Sequence, residues 1–155
     1  KGKTFRLDAA TATQAVLDLR HGTAREEGFA ASSEFPRIHP DCVGRRYRYR
    51  YSVASDGTHS HPFQNGVRRL DMETGAQSTY CFGPEAITEE HVVVPKPDAH
   101  DEAEAWLLGT MLDTASGRTR LNVLDAARIG EGPVFQAELP YALPLGFHGN
   151  FAPAT

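Results

Sequence analysis

The feature that most constrains this chain is a recurrence of short runs with a period of two, each cut off by turn residues. Arg46-Tyr47-Arg48-Tyr49-Arg50-Tyr51 alternates strictly and continues into Ser52-Val53-Ala54. Gly66-Val67-Arg68-Arg69-Leu70-Asp71 leads to the turn Glu73-Thr74-Gly75, and Gln77-Ser78-Thr79-Tyr80-Cys81-Phe82 follows. His91-Val92-Val93-Val94, the segment 105–113, the turn Ala115-Ser116-Gly117, the segment 118–124 and the segment 133–139 complete the series. Successive strand side chains point to opposite faces, so this alternation with Gly, Pro, Asp and Ser punctuation predicts antiparallel hairpins. The expected class is all-β, built from antiparallel meanders, which serves a sandwich, a barrel or part of a propeller. On the alternating hexamer, the face of Arg46, Arg48 and Arg50 is expected to be wetter than that of Tyr47, Tyr49 and Tyr51.

Helical signal is thin. Residues 9–19 fit a helix or a strand about equally, since Thr11, Thr13 and Val16 suit a pleated surface. Asp125-Ala126-Ala127-Arg128 fits one short helical turn, and residues 20–33, with Gly, Ser and charges but no period, read as a loop. No composition shift divides the chain, and its 155 residues suit one domain. The runs supply roughly two of the four-stranded units from which propellers are made, too few to close a ring. Such a fragment would leave sheet edges open, and the chain starts at Lys1 without an apolar signal segment. Residues 1–155 are therefore expected to be part of a longer protein, of cytoplasmic location.

Charge and composition exclude several functions. The net charge of -4 argues against a nucleic-acid or anionic-membrane binder. Runs such as Trp106-Leu107-Leu108 are far too short to cross a bilayer, so any peripheral membrane contact would have to come through other regions. Cys42 and Cys81 are too few and too far apart for a disulfide framework or a zinc pair, and are expected as buried free thiols.

The seven histidines carry the chemical argument. His59 and His61 sit at alternate positions, but among Asp56-Gly57-Thr58 and Pro62 they read as a solvated hairpin loop. His21, His39, His91 and His100 lack a ligand-spaced partner. His148 stands in Pro144-Leu145-Gly146-Phe147-His148-Gly149-Asn150-Phe151, where flanking glycines let the backbone turn tightly and approach another group. Spacing alone leaves it equally open whether His148 is a metal ligand or caps a neighbouring carbonyl.

Three ordered blocks resemble the carotenoid cleavage oxygenase family, which includes apocarotenoid and lignostilbene dioxygenases. Residues 139–151 are similar to its C-terminal histidine signature. Ser33-Glu34-Phe35-Pro36-Arg37-Ile38, then Val43-Gly44-Arg45-Arg46-Tyr47-Arg48-Tyr49, resembles its Glu-Phe-Pro-Arg block and the Tyr-rich strand after it. Val93-Val94-Pro95-Lys96-Pro97, then Asp101-Glu102-Ala103-Glu104-Ala105-Trp106-Leu107-Leu108, resembles the block ending Glu-Asp-Asp-Gly-Trp-Leu-Leu, with Ala103-Glu104-Ala105 in place of Asp-Asp-Gly.

The resemblance implies the C-terminal blades of a seven-bladed β-propeller with Fe(2+) on its axis, held by four histidines. His148 matches the fourth ligand. Glu34 and Glu102 match two of the glutamates that orient ligand imidazoles, with Glu104 as the competitor of Glu102. Glu102 is expected to meet His148, and Glu34 to face a histidine outside the chain. The implied reaction uses O2 to cleave a conjugated carbon–carbon double bond in a hydrophobic carotenoid, apocarotenoid or stilbene-type substrate. Isomerases share the ligands, so the metal motif does not fix the reaction. The competing class is a non-catalytic β-rich binding module, or a fragment unable to bind iron by itself.

Overall fold

The structure, a computed structural model, describes residues 11–59 and 61–153. Among the described residues nine strands follow one another in sequence: β1 (Thr11–Asp18), β2 (Thr23–Arg37), β3 (Tyr49–Ala54), β4 (Gly66–Asp71), β5 (Gln77–Cys81), β6 (Ala86–Pro95), β7 (Ala105–Asp113), β8 (Arg118–Asp125) and β9 (Pro133–Glu138). They form a five-stranded sheet, β1 to β5, and a four-stranded sheet, β6 to β9, each strand hydrogen-bonded to the next in the chain. All pairings are antiparallel. The expected all-β class and its meanders are therefore present. Hairpins turn at residues 72–76 and 114–117, where Gly75 and Gly117 take φ of 73° and 65°.

Two local readings are corrected. Residues 23–33 belong to the long strand β2 rather than to a loop. They lack a period because the outer part of the β1–β2 hairpin is exposed on both faces, so no buried side dictates an alternation. Within residues 9–19, those from Thr11 on are strand, while 9 and 10 lie outside the described residues. Asp125 to Arg128 closes one turn, Arg128 N donating to Asp125 O at 3.0 Å, and a short 3-10 helix follows at Ile129–Glu131.

The second correction concerns the inner end of the alternating hexamer. Arg46 is exposed, but Arg50 is only 8% exposed beside Tyr51 at 1%. β3 is a middle strand covered on both faces there, and burial pushes the Arg50 guanidinium pKa down.

The two sheets share a core. Tyr51 and Val67 of the first sheet pack with Val93, Ala105, Leu107, Leu124, Ala126 and Ile129. β6, the first strand of the second sheet, is the element that packs against β2, β3 and β4. After β9 the chain turns back over the second sheet without forming a strand. Thr119 of β8 anchors this tail: its carbonyl accepts from Leu139 N, its N–H donates to Tyr141 O, and its hydroxyl accepts from Leu143 N. From there the tail reaches β6, and this delivers residues 146–149 to the seam between the sheets. No helix among the described residues is long and apolar enough to cross a membrane.

Candidate functional site

The tail brings His148 to Glu90, fifty-eight positions earlier in the sequence. Nδ1 of the imidazole lies 3.3 Å from Glu90 Oε1. A carboxylate held by donors can only accept, so the Nδ1 that faces it is the donor. The ring is 71% exposed, and its Nε2 makes no hydrogen bond among the described residues. A metal-binding imidazole needs this arrangement, one nitrogen fixed by an acceptor and the other open.

Glu90 is suited to that task because its side chain is only 5% exposed and fully engaged. Arg37 grips it with two parallel bonds, Nε to Oε1 at 2.8 Å and Nη2 to Oε2 at 2.9 Å. The Gly149 amide donates to Oε2 at 2.8 Å. Burial pushes the Glu90 carboxyl pKa up, but the Arg37, Gly149 and His148 donors outweigh it and leave the pKa below its ordinary value. Arg37 also donates to Gly149 O at 2.9 Å, so one guanidinium fixes both the carboxylate and the loop beyond His148.

Two β-bulges aim these groups. In β2, Phe35 and Pro36 stand opposite the single Ser52, because Glu34 pairs with Val53 and Arg37 with Tyr51. Pro36 is tolerated there because a bulge leaves its residue out of the ladder. Phe35 takes φ of 51°, a left-handed conformation that costs a bulky residue about 1–3 kcal/mol. Its ring meets the His148 ring edge-to-face at a centroid distance of 5.4 Å. In β6, Glu89 and Glu90 stand opposite the single Thr110, between the pairs Thr88–Met111 and His91–Gly109. A cavity of about 360 Å³ lies between tail and sheet beside His148, walled by Val92, Leu108, Leu121, Leu143, Pro144 and Phe147.

Of the residues singled out in the sequence, only His148 is at this centre. Glu102 is not its partner. Its carboxylate accepts from Arg48 N at 2.7 Å and Tyr49 N at 3.3 Å, and Cys42 Sγ lies 3.7 Å away. It ties the β6–β7 turn to the start of β3, as a carboxylate in an acidic hairpin does when free amides lie within reach. Glu104 is not the partner either, since it accepts from His100 N and Asp101 N within its own turn. Glu34 is exposed, and its carboxylate makes no hydrogen bond or ion pair among the described residues.

Sequence reasoning missed Glu90, and missed that the Glu-Phe-Pro-Arg block contributes Phe35 and Arg37 as well. A signal was present: Glu89 and Glu90 stand inside a strand that opens on Ala86-Ile87 and closes on Val92-Val93-Val94. Charges inside such a run need a partner.

The remaining histidines stay apart. His59 and His61 stack at 4.2 Å, and both His59 nitrogens are used within the loop, by Ser55 Oγ and His61 O. Around them Asp56, Gly57, Thr58, Pro62 and Phe63 are exposed, as a solvated loop requires, while the two rings themselves are half-buried. Cys42 and Cys81 are free thiols, each half-buried. Among the described residues, no group of three or more His, Cys, Asp or Glu could hold a metal ion.

Comparison with known proteins supplies the context. The family model described as retinal pigment epithelial membrane protein matches residues 2–153. An apocarotenoid-15,15'-oxygenase from Synechocystis is 33% identical over 120 residues, covering 77% of this chain and 24% of that protein. A lignostilbene-alpha,beta-dioxygenase isozyme from Sphingomonas paucimobilis is 29% identical over 131 residues, covering 79% of this chain and 27% of that protein. The crystal structure of the cobalt-substituted Synechocystis apocarotenoid oxygenase superposes with a TM-score of 0.89 at 28% identity, covering 96% of this chain and 31% of that one. The chain thus spans about a quarter of the length of the curated relatives it matches.

Proposed function

Since the chain belongs to the family of the retinal pigment epithelial membrane protein and the carotenoid cleavage oxygenases, we propose that it forms the C-terminal part of a non-haem iron(II) dioxygenase. In this reading residues 1–155 are the last blades of a seven-bladed propeller. The whole protein uses O2 to cleave a conjugated carbon–carbon double bond in a carotenoid, apocarotenoid or stilbene-type substrate. One observation carries the reading: His148 is fixed through Nδ1 by a buried carboxylate and offers Nε2 outward.

The donor chemistry fits the metal, because neutral imidazole suits Fe(II). His148 would be one ligand, and the other imidazoles would come from sequence outside this chain. Iron, when bound, supplies the redox chemistry that O2 requires. The chain's own residues do the rest of the work on this side of the site. Glu90 holds the Nδ1 proton and the ring plane, and Arg37 keeps Glu90 ionised and aimed. Phe35 packs edge-on against the imidazole. The apolar walls of the adjoining cavity give a conjugated substrate a water-poor flank beside the metal. Glu34, exposed and without a partner here, is proposed to orient a histidine from outside the chain.

The test is metal content and cleavage activity in the full-length protein. His148→Ala is expected to lose iron and turnover together, whereas the double change His59→Ala with His61→Ala keeps both. Stoichiometric iron in His148→Ala would overturn the reading.

A further inference from the structure

Glu90 is not the only carboxylate on the loop that carries His148. Glu89, its neighbour in β6, accepts from Gly146 N through Oε1 and from Thr110 Oγ1 through Oε2. Consecutive residues of a regular strand point to opposite faces, so two adjacent glutamates ordinarily cannot serve one loop. The bulge removes that restriction, because Glu89 and Glu90 together oppose Thr110 alone.

The result is a two-point grip. Glu89 takes the amide two residues before His148, and Glu90 takes the amide one residue after it. Residues 141–153 have no strand ladder of their own to hold them. Between the two anchors, Phe147 and His148 are exposed, so little packing fixes the ring.

We propose that Glu89 is a positioning residue for the metal-binding imidazole, acting through the backbone of Gly146. This rests on the reading of His148 as a ligand. Losing the Gly146 anchor leaves the loop held before His148 no nearer than Leu143, and the imidazole then spends less time in the ligating orientation.

The two glutamates differ in what can replace them. Every group on Glu90 is a donor: two from Arg37, one from Gly149 and one from His148. An amide there sets an N–H against other donors, so Glu90→Gln is not tolerated. On Glu89 one partner is a backbone N–H and the other a hydroxyl, which can reverse its role. Glu89→Gln can accept from Gly146 and donate to Thr110, and so keeps the grip.

The experiment uses the full-length protein. Cobalt(II) and iron(II) dissociation constants are measured by chelator competition, and amide hydrogen exchange over residues 143–150 is followed in the metal-free protein. Glu89→Ala is expected to weaken metal binding by about 10-fold, the lower end of the usual effect of losing a group that orients a ligand. Exchange at Gly146 and Phe147 should accelerate. Glu89→Gln should restore both to near the parent values, while Glu90→Gln should not. Thr110→Val, which removes only the hydroxyl partner, should move both readouts the same way by a smaller factor, and it serves if Glu89→Ala fails to fold. Parent-like affinity and exchange in Glu89→Ala, or in Thr110→Val if that variant must stand in, overturns the proposal. So does a Glu89→Gln variant as impaired as Glu89→Ala. Hydrogen exchange is read without metal, so failure of the His148 assignment is seen separately, as metal retained by His148→Ala.

Discussion

Two histidines show how far environment outweighs residue type. His91 and His148 each direct Nδ1 to an oxygen acceptor, Glu89 O at 2.9 Å and Glu90 Oε1 at 3.3 Å. At His148 the other nitrogen opens outward. At His91 it is buried without a partner, beneath Phe82 and against Gly109. Protonating His91 would place a second N–H where nothing accepts it, and burial pushes its pKa down to about 4. The unfolded chain, with a histidine pKa of about 6.5, therefore binds more protons than the folded one between pH 6.5 and 4. Stability is full above that window and falls as pH drops through it, by up to about 1.4 kcal/mol per pH unit. Denaturant unfolding at pH 7, 6 and 5 should show this fall, and His91→Asn should flatten the slope whatever it does to absolute stability. An unchanged slope in the variant would assign the effect to another group.

At the scale of elements, the bulges in β2 and β6 decide which side chains reach the centre. The β6 bulge depends on Gly109, because a Cβ there would lie 2.5 Å from the His91 ring and 2.7 Å from Glu90 O. Neither neighbour can yield easily, since one is a buried ring and the other is backbone. Gly109→Ala should therefore cost about 1–3 kcal/mol of stability, as overpacking does. It should also displace Glu90, so metal affinity of the full-length protein falls as well. Chevron or equilibrium unfolding together with chelator competition checks both, and a variant with parent stability would mean that the bulge relaxes freely. Nothing in the strand pattern announces either bulge. Their register shifts follow from pairing with β3 and β7, not from the residues of β2 and β6 alone.

Among the described residues, each sheet leaves two edge strands: β1 and β5 in one, β6 and β9 in the other. Large apolar side chains stay exposed at the end of the second sheet, with Val134 and Phe135 on β9 and Leu145, Phe147 and Phe151 on the tail. Open edges with apolar side chains favour pairing with another chain. The 155-residue chain expressed by itself is expected to self-associate, and light scattering should record species larger than 17.0 kDa at micromolar concentration. Val134→Lys with Phe135→Lys should shift it toward monomer. A monodisperse monomer of the parent chain would refute this.

The sequence by itself determined the strands from β3 onward, the turns at Gly75 and Gly117 and the antiparallel class, and it singled out His148 by its motif. These are local properties, since a period of two, a positive-φ glycine and a short motif are each readable within a few residues. Tertiary structure decided the rest. It made Arg50 a buried residue, because both faces of β3 are covered. It made residues 23–33 a strand, because β1 pairs along Thr23 to Ser32 and β3 takes over at Ser33. It gave His148 to Glu90 rather than to Glu102, because a bulge turned Glu90 toward the tail while free amides of Arg48 and Tyr49 claimed Glu102. A carboxylate binds whichever donors the fold brings within reach, and only the folded chain fixes which those are.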